Sequence, residues 1–149
     1  MSQETTLENL TTHLASIDKT EWHKLSRLIP EIESTESFGD MKISEKMEDG
    51  LMAFPYIVPS KVVDDFYQTV FELGIVPVFD WINWQNGKDL LDNNETNYSE
   101  LDIVTLCKLF TIILRVDRFN EGYLVTCFEK GIILKILKGI KYWITKSTD

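Results

Sequence analysis

Apolar residues along most of the chain recur at spacings of three and four, the period of a helix with one buried face. In residues 2–20, Leu7, Leu10, Leu14 and Ile17 keep that spacing within a stretch rich in Thr, Ser and Glu, which predicts a helix held by a narrow apolar stripe. Trp22, Leu25, Leu28, Ile29 and Ile32 carry the pattern on, and Pro30 is expected to kink or end that second helix. The helical period then lapses. Residues 38–58 suit two antiparallel strands around Asp49-Gly50, a dipeptide that favours a tight hairpin turn.

Ser60 is placed to cap a further helix with Asp64 and Asp65 in or near its first turn, where negative charge suits the helix dipole. Val63, Phe66, Val70, Phe71 and Leu73 would form its buried side, and Gly74 would stop it. Residues 75–79, apolar but interrupted by Pro77, read as an extended connector. Asp80 is expected to cap a brief helix carrying Trp81 and Trp84, and the polar residues 92–97 to form a surface loop. Ser99, three residues before Asp102, resembles a capping box at the head of a long helix from about Glu100 to Phe119. Gly122 and Gly131 divide the last third into three helices. The fold class that follows is mainly α (α+β), a compact helical domain with a small β-hairpin. A length of 149 residues suits one domain spanning 1–149, with residues 1–20 as its most loosely docked part.

Charge narrows the partners. With 24 Asp+Glu against 15 Lys+Arg the net charge is -9, which opposes adhesion to nucleic acid or to an anionic membrane. The most apolar run, residues 103–114, is interrupted by Lys108 and too short to span a bilayer. Ser2, Gln3 and Glu4 do not begin a signal peptide, so a cytoplasmic location is expected. Cys107 and Cys127, widely separated among apolar neighbours, are expected to be buried reduced thiols. His13 and His23 read as exposed helix residues. The spacings that mark phosphate loops, dinucleotide folds, hydrolase elbows and zinc or calcium sites are absent, so no cofactor and no metal are assigned.

The long helix carries the first candidate chemistry. At 100° per residue from Asp102, Lys108, Thr111, Arg115 and Arg118 fall at about 240°, 180°, 220° and 160°, a single stripe, while Asp117 points away at about 60°. Guanidinium groups on so apolar a helix call for partners, either carboxylates or an anionic ligand in a cleft, and Glu121 is the nearest candidate for Arg118. Trp81 and Trp84 form a second cluster with Asp80, suited to core packing or to stacking on a planar ligand. Residues 1–102 hold 20 acids and 7 bases, whereas residues 103–149 hold 4 acids and 8 bases, so the two parts attract. The last helix sets Lys135, Lys138, Lys141 and Lys146 opposite an apolar face, a pattern of docked helices and of partner-binding ones.

Phe79-Asp80-Trp81 with Trp84, then Arg115, Asp117-Arg118-Phe119 and Glu121-Gly122, then Glu129, Gly131, Ile133 and Ile136-Leu137, resemble a bacterial family of small proteins catalogued as a domain of unknown function. The resemblance spans residues 25–142, and its most specific part is the RxDRFxEG pattern. Members usually carry His after Glu-Gly and often Cys before Glu, where this chain has Tyr123 and Asn120. It implies a bacterial, cytoplasmic, single-domain protein and supplies no activity. Three roles stay open. One is a non-enzymatic binding or accessory module built on Arg115, Arg118, Glu121, Trp81, Trp84 and Asp80, with a protein or a small anion as partner. Another is a hydrolase-like enzyme in which Arg115 and Arg118 hold an anionic substrate and Asp80, Asp117 or Glu121 is acid or base. The third is a structural subunit closing an apolar surface on a partner.

Overall fold

The structure, a computed structural model, describes residues 5–43 and 55–147. Helix α1 (Leu7–Ser16) opens at a capping box, in which Thr6 Oγ1 accepts from the Asn9 amide and Asn9 Oδ1 from the Thr6 amide. Its stripe buries Leu10 and Leu14 completely or nearly so, at 0% and 2% exposure. The segment before it is also tied down: the Thr5 hydroxyl donates to the Gly74 carbonyl at 2.7 Å, and the Val78 amide donates to the Thr5 carbonyl at 2.7 Å.

The expected second helix is two. Helix α2 (Lys19–Ser26), capped by the Asp18 carboxylate at the Glu21 amide, breaks at Arg27 before α3 (Leu28–Ser34). Pro30 lies inside α3, and the break falls ahead of it because proline lacks an amide and crowds the carbonyl four residues back, that of Ser26. Strands β1 (Gly39–Ile43) and β2 (Pro55–Pro59) pair antiparallel, Gly39 opposite Pro59 and Ile43 opposite Pro55. The expected turn at Asp49-Gly50 lies outside the described residues.

Helix α4 (Lys61–Leu73) starts at Ser60 and ends at Gly74, as its sequence predicts, burying Val62, Val63, Phe66, Val70 and Leu73. Two expectations for it fail: the Ser60 hydroxyl makes no cap bond, and Phe71 is exposed, its ring tilted against that of Tyr67 one turn back. Asp80, Trp81 and Trp84, expected on a helix, lie instead in irregular chain and a turn; α5 (Gln85–Asp92) begins only after Trp84. Asp80 accepts from the Asn83 side chain at 2.7 Å instead of capping a helix.

Helix α6 (Ile103–Phe119) also begins later than expected. Asp102, not Ser99, is its cap and accepts from the Thr105 amide at 2.7 Å, while Tyr98–Glu100 form a single 3-10 turn. Helices α7 (Tyr123–Glu129) and α8 (Ile132–Ser147) complete the chain, divided at Gly122 and Gly131 as anticipated. Residues Leu106 to Leu114 of α6 run through the centre of the core, except that Lys108 is half-buried. Phe66 of α4, Phe110 of α6 and Phe128 of α7 meet edge to face there at 5.4 and 5.3 Å. The result is a mainly α-helical fold with a small hairpin. Among the described residues no helix is long and apolar enough to cross a membrane.

Candidate functional site

The RxDRFxEG segment forms the corner between α6 and α7. Asp117 Oδ1 accepts from the Leu124 amide at 2.9 Å, so this carboxylate caps the start of α7. Glu121 Oε1 accepts from the Ile57 amide of β2 at 3.2 Å, and does not pair with Arg118. Gly122 turns the chain with φ 92°, and a side chain there would also run into Ile57 Cδ1. Asp117, Glu121 and Gly122 thus shape the corner and fasten the hairpin to it.

Arg115 is half-buried and Arg118 exposed, and among the described residues neither forms an ion pair. The expectation that both face inward fails for Arg118, because it sits on the last turn of α6, past the buried stretch, where water solvates the guanidinium. Beside it Phe119 is 84% exposed. At the other end of the stripe, Lys108 Nζ lies 4.0 Å from the Trp84 ring centre and 5.1 Å from that of Phe79. The two rings meet edge to face at 5.7 Å, and the missing side chain at Gly87 lets Trp84 lie against the first turn of α5. Thr111, buried, donates to the Pro77 carbonyl at 2.6 Å. Lys108 and Thr111 thus anchor the connector between α4 and α5. Trp81 and Trp84 are both half-buried.

Both cysteines are free and buried. Burial pushes the Cys127 thiol up to about 11, against a hydrogen bond from Tyr123 and the charge of Lys130 that favour its thiolate. Burial raises the Cys107 thiol further, with Asp102 adding to the shift. Tyr123, one turn before Cys127, is also raised, chiefly by burial. These groups hold their protons at neutral pH and are poor nucleophiles. His13, expected in solvent, is half-buried, with Nε2 2.7 Å from the Leu73 carbonyl oxygen. Among the described residues no group of three His, Cys, Asp or Glu side chains could hold a metal ion.

A different feature has the form of a binding site. Between α2 and α8 lies a cavity of about 500 Å3 lined by Lys19, His23, Arg27 and Lys141, with Trp22, Pro30 and Ile144 as its apolar surface and Ser26 and Thr145 as hydroxyls. Lys19 and His23 of α2 and Arg27 at its C-cap, which keeps helical backbone angles, follow one another at steps of four and so share one face. Lys141 faces them from α8, which is held by the edge-to-face contact of Trp22 with Trp143 at 5.8 Å and by Lys138 with Glu33 at 3.3 Å. No carboxylate lines this groove. Lys19, His23, Arg27 and Lys141 are exposed at the rim of the groove, and among the described residues its three cations form no ion pair, whereas Lys24 of α2 is paired with Glu21 at 3.1 Å. Ser26 is not set up as a nucleophile by His23, since its hydroxyl points to the Trp22 carbonyl at 3.5 Å.

The sequence reading missed this groove. Its only local signal was the spacing of Lys19, His23 and Arg27, which is also that of an ordinary solvated helix face.

Residues 17–146 match a family of unknown function (DUF6508), and the chain belongs to that family. No curated protein and no solved structure matches it.

Proposed function

We propose that this member of the family is a non-enzymatic binding module that takes an anionic ligand in the groove between α2 and α8. The observation that carries the reading is the lining: Lys19, Arg27 and Lys141, with His23, converge without a carboxylate in a chain whose net charge is -9. Converging like charges repel, and an anion accepting hydrogen bonds from them removes that repulsion while satisfying the guanidinium fork and the ammonium donors. The apolar floor of Trp22 and Ile144 excludes water on one side and strengthens those bonds. The groove, open to solvent at about 500 Å3, has room for a small molecule.

Arg115 and Arg118 offer a second place for an anion, since neither has an ion pair among the described residues. They lie on a helix face, with Arg118 and Phe119 open to solvent, and suit a larger partner better than a small ligand.

Thermal unfolding with increasing inorganic phosphate, pyrophosphate and citrate tests the reading, because a ligand bound to the native state raises its stability with concentration. The midpoint is expected to rise, and the rise to vanish in Arg27→Glu and Lys141→Glu but to persist in Arg118→Glu. A rise lost only in Arg118→Glu would move the site to the α6 corner. No rise with any of the anions would overturn the reading.

A further inference from the structure

We infer that the ligand of the groove is an amphipathic anion, a small molecule whose charged head lies among Lys19, Arg27 and Lys141 and whose apolar or aromatic part enters the adjoining recess. This rests on the anion-binding reading above. Next to the groove is a second cavity of about 320 Å3, lined by Leu14, Ala15, Ile17, Lys19, Trp22, Trp143 and Ile144. Lys19, Trp22 and Ile144 line both cavities, so the two spaces share a wall. Apart from Lys19 every residue of the recess is apolar or an indole, and Lys19 can lay its methylenes along the recess with its ammonium toward the groove.

The sizes agree with a two-part ligand. At roughly 30 Å3 for an atom-sized group, the recess holds about ten heavy atoms, a medium alkyl chain or a fused ring. Two indoles, the buried Trp22 and the half-buried Trp143, contribute to its apolar lining. An anion without an apolar part would leave the recess to water, and an apolar molecule without a charge would leave the exposed cations of the groove to water. A molecule with both ends satisfies both halves. The net charge of -9 favours a free amphiphile over the same head group presented on an anionic bilayer.

Calorimetric titration of the full chain with inorganic phosphate, octyl phosphate below its micelle concentration, and octanol tests the inference. Octyl phosphate is expected to bind at least about tenfold more tightly than inorganic phosphate, a gain that burying about two methylenes supplies. Ala15→Trp, at an exposed position of α1 beside the recess, is expected to abolish the gain while leaving phosphate binding intact, and Arg27→Glu to weaken both ligands. Circular dichroism of each variant checks that it folds. Equal affinity for the two phosphates, or an octyl gain untouched by Ala15→Trp, would overturn the two-part ligand and leave the anion site standing. Binding of neither phosphate would overturn both readings. Sedimentation with phosphatidylserine vesicles, if it captured a protein that ignores monomeric octyl phosphate, would overturn the free-ligand claim.

Discussion

Trp22 of α2 and Trp143 of α8 meet edge to face, with ring centres 5.8 Å apart and planes at 68°. The contact holds together the two helices that form the basic groove, and both rings face the recess beside it. Trp22 is 4% exposed, so Trp22→Ala is expected to cost about 3 to 5 kcal/mol in urea unfolding. A double-mutant cycle with Trp143→Ala should give a coupling of about 0.5 to 1.5 kcal/mol beyond the single effects. Strict additivity would show that the rings merely lie near each other.

The α6 to α7 corner is expected to be sensitive at its glycine. Gly122→Ala combines a left-handed backbone with a clash at Ile57, and should destabilise the fold by about 1 to 3 kcal/mol. Glu121→Gln keeps an acceptor for the Ile57 amide and should cost less than about 1 kcal/mol. Amide exchange at Ile57 reports the latch: it should quicken in Glu121→Ala and stay slow in Glu121→Gln.

The thiols should be inert in the folded protein. At pH 8 a disulfide reagent is expected to label neither Cys107 nor Cys127 until denaturant is added, when both react. Because native Cys127 titrates at about 11 against an ordinary value of 9.0, the folded state keeps a proton that the unfolded chain releases. The stability that this thiol contributes is fully present below about pH 9 and is lost as pH rises from there toward 11. Labelling of Cys127 in the native state at pH 8, at the rate of the unfolded chain, would contradict the burial.

Lys108 between Trp84 and Phe79 should behave as a cation held by rings. Lys108→Met keeps most of the packing and removes the charge, and its expected cost of about 0.5 to 2 kcal/mol measures the cation–π contribution. Trp84→Ala should cost less than Trp22→Ala, since Trp84 is only half-buried. A shift of tryptophan emission in Lys108→Met, absent in Lys88→Met, would place the charge at the indole.

Periodicity located most helices because burial of one face is a local property: Leu10 and Leu14, or Val63, Phe66 and Val70, are spaced for it whatever they pack against. It misplaced boundaries where one residue decides. Asp102 and Ser99 are both competent caps three residues apart, and the 3-10 turn at Tyr98, buried under α8, determines which is used. Trp81 and Trp84 have helical spacing, yet Trp84 is turned onto Lys108 and Gly87 by contacts from α6 and α5 that no local pattern records.

The candidate sites divide in the same way. The RxDRFxEG pattern was visible as a motif, but its Asp117 and Glu121 bind backbone amides seven residues on and in a distant strand. The groove was invisible because Lys19, His23 and Arg27 become a site only when Lys141, more than a hundred residues away, closes the opposite wall. The charge imbalance between residues 1–102 and 103–149 implies attraction between the two parts, and Lys138 with Glu33 is one contact of that kind.

Whether anions bind between α2 and α8 is decided by an amide-resolved NMR titration of the full chain with inorganic phosphate. Saturable shifts are expected at Lys19, His23, Arg27, Lys141 and their neighbours, with Arg115, Arg118 and Phe119 unmoved. Shifts confined to Arg115 and Arg118, or none that saturate, would contradict binding there.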